Sequence, residues 1–165
     1  MEELFIRPGK REDIPEIDKV YEEAKLFMRK SGNMHQWING YPSGKDASDD
    51  IEKGQCFVVC DKEGVVAVFA LIFGDDPTYS YIENGQWQNS EPYGTIHRIG
   101  SNGKYHGIMK LCLDFALKKT NNVRIDTHND NKPMQHVLNK LGFAECGIIY
   151  IADGSPRVAF QYTKH

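Results

Sequence analysis

Apolar residues recur along this chain with two different periods, and the period separates helix from strand. Over residues 13–29 they fall at Ile14, Ile17, Val20, Tyr21, Ala24, Phe27 and Met28, a spacing that predicts an amphipathic helix. Pro15 suits its first turn, and Ser31-Gly32-Asn33 its end. Met134, Val137, Leu138 and Leu141 predict a second helix, entered at Pro133 and stopped at Gly142. A third opens at Ile108, and a brief one is read over 46–53, before Gly54.

Strands are read at 4–8, 56–60, 65–73, 95–101, 123–127, 143–151 and 157–162. The stretch 65–73 is apolar at both parities, which predicts a central strand covered on both faces. Asp61-Lys62-Glu63-Gly64 turns 56–60 into it as a hairpin, and Ala152-Asp153-Gly154-Ser155-Pro156 turns the last two strands. Residues 34–42 have weak periodicity and predict turns mixed with short helix. Residues 74–93 form a long polar loop carrying Tyr79, Tyr81, Trp87 and Tyr93, and a connection of this length points to function. The order predicts one α+β domain over 1–165: a mixed, mostly antiparallel sheet of about seven strands flanked by helices.

Composition narrows the partners. A net charge of −3, without a basic tail, disfavours nucleic acid. No apolar run is long enough to span a bilayer, and Met1-Glu2-Glu3 does not open a signal peptide, so the expected setting is cytoplasmic. Cys56, Cys60, Cys112 and Cys146 sit in apolar segments without metal-ligand spacing; they read as buried free thiols, and no metal is expected.

The most informative stretch runs from the strand at 95–101 through Asn102-Gly103-Lys104-Tyr105-His106-Gly107 into the helix at Ile108. A helix that opens on a small flexible loop aims several unpaired N–H groups at one place, a site for phosphate or pyrophosphate. With the order of elements, this stretch resembles the GCN5-related N-acetyltransferase (GNAT) family over nearly the whole chain, as in its small bacterial members. The family's pyrophosphate loop, Gln/Arg-x-x-Gly-x-Gly/Ala, corresponds to Lys104-Tyr105-His106-Gly107-Ile108-Met109. Its Asn at the head of the last helix, with a closing Gly-Phe, corresponds to Asn131 and Gly142-Phe143. Gln36-Trp37 to Tyr41-Pro42 and His97-Arg98-Ile99 are similar too.

The resemblance implies acetyl transfer from acetyl-coenzyme A to a primary amine of a small molecule or peptide, with a homodimer possible. It implies a cofactor held by Lys104, Tyr105, His106, Gly107, Ile108 and Met109, by the backbone of Ile99, Gly100 and Ser101, and by Asn131. Gly100 is expected to make room at a bulged strand end. Met109 stands where the family has Gly or Ala, so it is expected to crowd the pyrophosphate. Leu138 stands where the family often has a tyrosine that protonates the thiolate. His97 is a candidate base, although strand parity puts it on the face of Ile99, where it would be packed. Tyr150, Tyr105 and Cys146 are candidate proton donors, and His106 and His128 further histidines near the expected cleft. Trp37, Tyr41, Tyr81 and Trp87, with Tyr79 and Tyr93, are candidate acceptor-binding aromatics; Asp75, Asp76 and Glu83 could attract an amine. Met109 and Leu138 also motivate an alternative, a non-catalytic acyl-coenzyme A sensor or interaction module.

Overall fold

Alternation and apolar runs become a single seven-stranded sheet in the computed structural model, which describes residues 3–165; of the N-terminal residues read above, Met1 and Glu2 lie outside the described residues. The elements are β1 (Phe5–Pro8), α1 (Ile14–Lys30), α2 (Gly44–Glu52), β2 (Cys56–Asp61), β3 (Gly64–Phe73), β4 (Gly94–Ser101), α3 (Ile108–Leu117), β5 (Asn122–Thr127), α4 (Lys132–Leu141), β6 (Ala144–Tyr150) and β7 (Pro156–Thr163). The strands lie in the order β1-β2-β3-β4-β5-β7-β6. All neighbours are antiparallel except β4 and β5, which are parallel.

Central placement of β3 follows from its composition: Val65 through Leu71 are all buried. One face packs under α3 and α4, where Ile96, Ile125 and Phe160 meet Met109, Leu113 and Leu138. The opposite face packs under α1 and α2 through Ile17, Val20, Tyr21, Val58 and Val68. All four cysteines are free and buried.

Residues 34–42 hold no helix. Arg29, in the last turn of α1, explains why: its guanidinium donates to the carbonyls of Asn33, Gln36 and Trp37 at 3.0, 2.7 and 2.7 Å. Those carbonyls are therefore turned to one cation rather than along a helix axis. The loop 74–93 is likewise packed. The guanidinium of Arg124, on β5, lies between the rings of Trp87 and Tyr93, 4.1 and 3.9 Å from their centroids. Trp87 donates to the carbonyl of Tyr79, and Tyr79 donates to Asp126 at 2.6 Å.

The β4–β5 pair breaks early. Gly94 pairs with Val123 and Thr95 with Arg124, and there the pairing ends. On its other side β4 slips register against β3 between Val68 and Ala70, so β4 carries one extra residue. Arg98 sits at that slip with a φ of 49°, a conformation that a side chain resists unless something holds it. Asp50 of α2 holds it, accepting from Nε at 2.9 Å and from Nη2 at 2.7 Å.

Leu138 is wholly buried between α4 and the sheet. Leu138→Ala is expected to cost about 2–5 kcal/mol, read as a lower urea midpoint at unchanged slope.

Candidate functional site

Where β4 and β5 part, the sheet opens into a cleft of about 660 Å³. Its walls come from five places: the α1–α2 connection (Trp37, Ile38, Tyr41), the 74–93 loop (Asp76, Thr78), β4 from Ile96 to Ile99, β5 with the head of α4 (Asp126, Asn131), and the β6–β7 turn with Arg157.

The edge of β4 toward this cleft can be read from its hydrogen bonds. The Asn102 amide donates to Val66 on the β3 side, and Gly100 is paired with Val68. Peptide groups alternate along a strand, so those of Ile99 and Ser101 face the other way, into the gap that β5 has left. Of the three β4 residues singled out in the sequence, Gly100 therefore turns its peptide toward β3. Its lack of a side chain serves a different purpose from the one expected. A Cβ there would lie 3.2 Å from the Trp37 indole and 3.3 Å from Ala24, whereas the bulge itself falls at Arg98.

The bulge also changes the face of His97. An extra residue resets the alternation, so His97 and Arg98 both point toward the α1–α2 side, while Ile99 packs against the core under α3. His97 does not share a face with Ile99, as parity predicted. Its Nε2 lies 3.0 Å from Oδ2 of Asp76. Burial works against the Asp76 charge, but hydrogen bonds from His97 and Thr78 outweigh it and hold the carboxyl down at about 2. No local pattern marks the partnership with Asp76, which lies 21 residues from His97 in a polar loop.

The loop from β4 to α3 is tied to the β2–β3 turn by one carboxylate. Asp61 accepts from Lys104 Nζ and the Tyr105 hydroxyl, each at 2.7 Å, and from the amides of Glu63 and Gly64. The Lys104 and Tyr105 hydrogen bonds hold its pKa well below the usual carboxylate range. Lys104 also pairs with Glu63 at 3.1 Å, so its charge is committed to carboxylates. No side chain caps α3; Gly107 takes the N-cap position with a φ of 79°. The first-turn amides of α3 therefore face the loop. Met109 does not crowd them: its side chain is 6% exposed and packs within the core. Helical geometry turns this side chain inward, toward the sheet and away from the loop. His106 is exposed on the loop.

Asn131 caps α4, accepting from the Met134 amide at 3.2 Å, and donates to Gln36 at 3.1 Å. It therefore reaches across to the α1–α2 connection. Other candidates lie elsewhere. Tyr150 donates to Glu83 at 3.1 Å and stacks beside Tyr81, outside the cleft. Trp87 and Tyr93 are spent on Arg124, and Tyr79 on Trp87 and Asp126. Cys146 is buried, which raises its pKa. Asp75 borders a separate cavity, beneath the 74–93 loop. His128 accepts from the Asp130 amide, and burial lowers its pKa. Leu138 lies in the core. Among the described residues, no three of His, Cys, Asp and Glu are grouped to hold a metal ion.

Two outcomes follow for solution measurements. Met109→Gly is expected to lower stability by about 3–5 kcal/mol, through a core void and a glycine inside a helix, in urea unfolding. Asp61 and Asp76 are depressed in the folded state, so their contribution is present above the unfolded carboxylate pKa of about 3.9 and is lost as pH falls toward 2. Asp76→Asn is expected to flatten that acid limb in a stability-against-pH series.

No family model matches the chain, and no similar sequence was found among curated proteins. Solved structures do match. An acetyltransferase of the GNAT family from Streptococcus agalactiae is 33% identical, with a TM-score of 0.89, covering 98% of this chain and 96% of that one. A GNAT-family acetyltransferase from Listeria monocytogenes is 16% identical, with a TM-score of 0.71, covering 97% and 94%. The NatC complex, solved with Gag peptide and CoA, contains a chain 11% identical with a TM-score of 0.59, covering 99% of each. With a parted β4–β5 pair and a relative one-third identical along its length, this chain belongs to the GNAT family of acetyltransferases.

Proposed function

We propose that this protein is an acetyl-coenzyme A-dependent N-acetyltransferase that acts on a primary amine of a small molecule or peptide. One observation carries the reading: the parted edge of β4 runs from the uncapped start of α3 to the His97–Asp76 pair. The residues fit the cofactor. The first amides of α3 suit a pyrophosphate. The peptide groups of Ile99 and Ser101 suit a pantetheine arm lying as an added strand. Asn131 lines the cleft from α4, where it would border that arm. Acetyl-coenzyme A supplies the activated acyl group when bound. A protein of the same fold has been solved with CoA. Buried, unpaired cysteines suit a reducing compartment, which supports a cytoplasmic setting.

His97 takes a proton from the incoming ammonium, and Asp76 orients the ring and stabilises the imidazolium. An amide N–H at the β4 edge, near Ile99, polarises the acyl carbonyl. The amine nitrogen forms its bond to the acyl carbon as the carbon–sulfur bond breaks. Of the two protons that leave nitrogen, one passes through His97 to solvent and the other ends on the released thiol. A thiol of pKa about 8.5 leaves readily enough that the missing tyrosine at position 138 is tolerated.

A thiol-release assay over an amine panel tests this, with calorimetry reporting acetyl-coenzyme A binding. His97→Gln is expected to lower kcat/KM by about 10²–10⁴-fold at neutral pH, with cofactor affinity retained. Binding without turnover of any amine would leave the sensor reading standing in place of the enzyme.

A further inference from the structure

Arginines that are shielded from water in this protein are, with one exception, visibly compensated. Arg7 is paired with Asp13 at 2.7 Å and Arg98 with Asp50 at 2.7 Å. Arg29 holds three carbonyls, and Arg124 lies between two rings and donates to Asn89 and Gln161. Arg157 differs. It is half-buried in the wall of the cleft, and its guanidinium donates to the carbonyl of its own neighbour, Pro156, at 2.8 Å. Among the described residues no carboxylate forms an ion pair with it; Asp126 and Asp153 act on it from farther away. With one hydrogen bond and no ion pair, this part-withdrawn guanidinium keeps most of its donors for an anionic ligand.

The sheet register fixes where that charge stands. Asp126 is paired with Ala159, and Arg157 lies two residues before Ala159 on the same strand face. Such diagonal neighbours are about 7–8 Å apart. Asp126 lines the same cleft and has accepted a single hydroxyl, from Tyr79. One face of the opening therefore presents the Asp126 carboxylate and the His97–Asp76 pair, with the Arg157 guanidinium, which no ion pair holds, on the neighbouring strand. Tyr41, Ile38 and Ile151 add apolar surface beside them.

We infer that the acceptor is a free α-amino acid, whose carboxylate binds Arg157 while its ammonium is held by Asp126 and delivered to His97. Guanidinium and carboxylate match as a two-pronged pair. This rests on the acetyltransferase reading and narrows its acceptor to one class. A peptide N-terminus lacks the adjacent carboxylate and would leave Arg157 without an ion pair, as before.

The test is acceptor preference in the thiol-release assay. Each common amino acid is compared with its α-carboxamide and with the decarboxylated amine. The expected result is at least one amino acid used with kcat/KM ten-fold or more above its carboxamide. Arg157→Gln is expected to shrink that acid-to-amide ratio at least ten-fold, through KM, and Arg157→Lys to restore part of it. Carboxamides or simple amines turned over as well as the acids, or an acid preference that survives Arg157→Gln in a folded variant, would overturn the inference while leaving acetyl transfer intact. Acetyl-coenzyme A binding with no amine turned over, or no binding, would overturn both.

Discussion

Two hydrogen bonds from Arg98 to Asp50 hold the middle of β4 out of line, and the cleft depends on that displacement. A parallel pair of regular strands would continue its ladder to the ends, and the sheet would be closed. Here the extra residue at Arg98 bends β4 just beyond Thr95, the last residue paired with β5. The unpaired peptide edge is hazardous in an ordinary sheet, because it invites another strand. Inside a cleft it becomes a place where an extended ligand can complete the ladder. Burying the ion pair beneath α2 places its cost in the scaffold and its result in the site.

The same bend brings remote segments together. His97 turns toward a loop acid twenty-one residues away in sequence, and Arg98 turns toward α2. Trp37 rests on the backbone of Gly100, so the α1–α2 connection closes one side of the opening without filling it. Asn131 and Gln36 join the far wall to that connection. The cleft is thus assembled by polar contacts at its rim, and by apolar packing in the two layers behind it.

Local pattern made much of this visible in the sequence. The seven strands, the four helices, the proline at the start of α4 and the glycine at its end all follow from periodicity and backbone preference. The strand-loop-helix and Asn131 could be located because their backbone roles are encoded over a few neighbouring residues. What could not be read depends on tertiary geometry. A bulge adds one residue without any compositional mark, so parity failed at His97 and the His97–Asp76 contact stayed hidden. Aromatic loop residues looked available for ligand, but Trp87 and Tyr93 were already claimed by an arginine on a strand far along the chain. Met109 looked obstructive because a sequence position does not show which way a helix turns its side chain.

Asp61 leaves a last consequence. By binding Lys104, it takes the nearest cation of the loop out of play and locks the loop to the β2–β3 turn. An anion seated at the start of α3 would then feel fixed peptide dipoles more than a mobile net charge. Salt screens both kinds of attraction, but the dipoles act only within the first turn and along fixed directions. To such an anion the loop would offer short-range, directional contacts in place of long-range attraction.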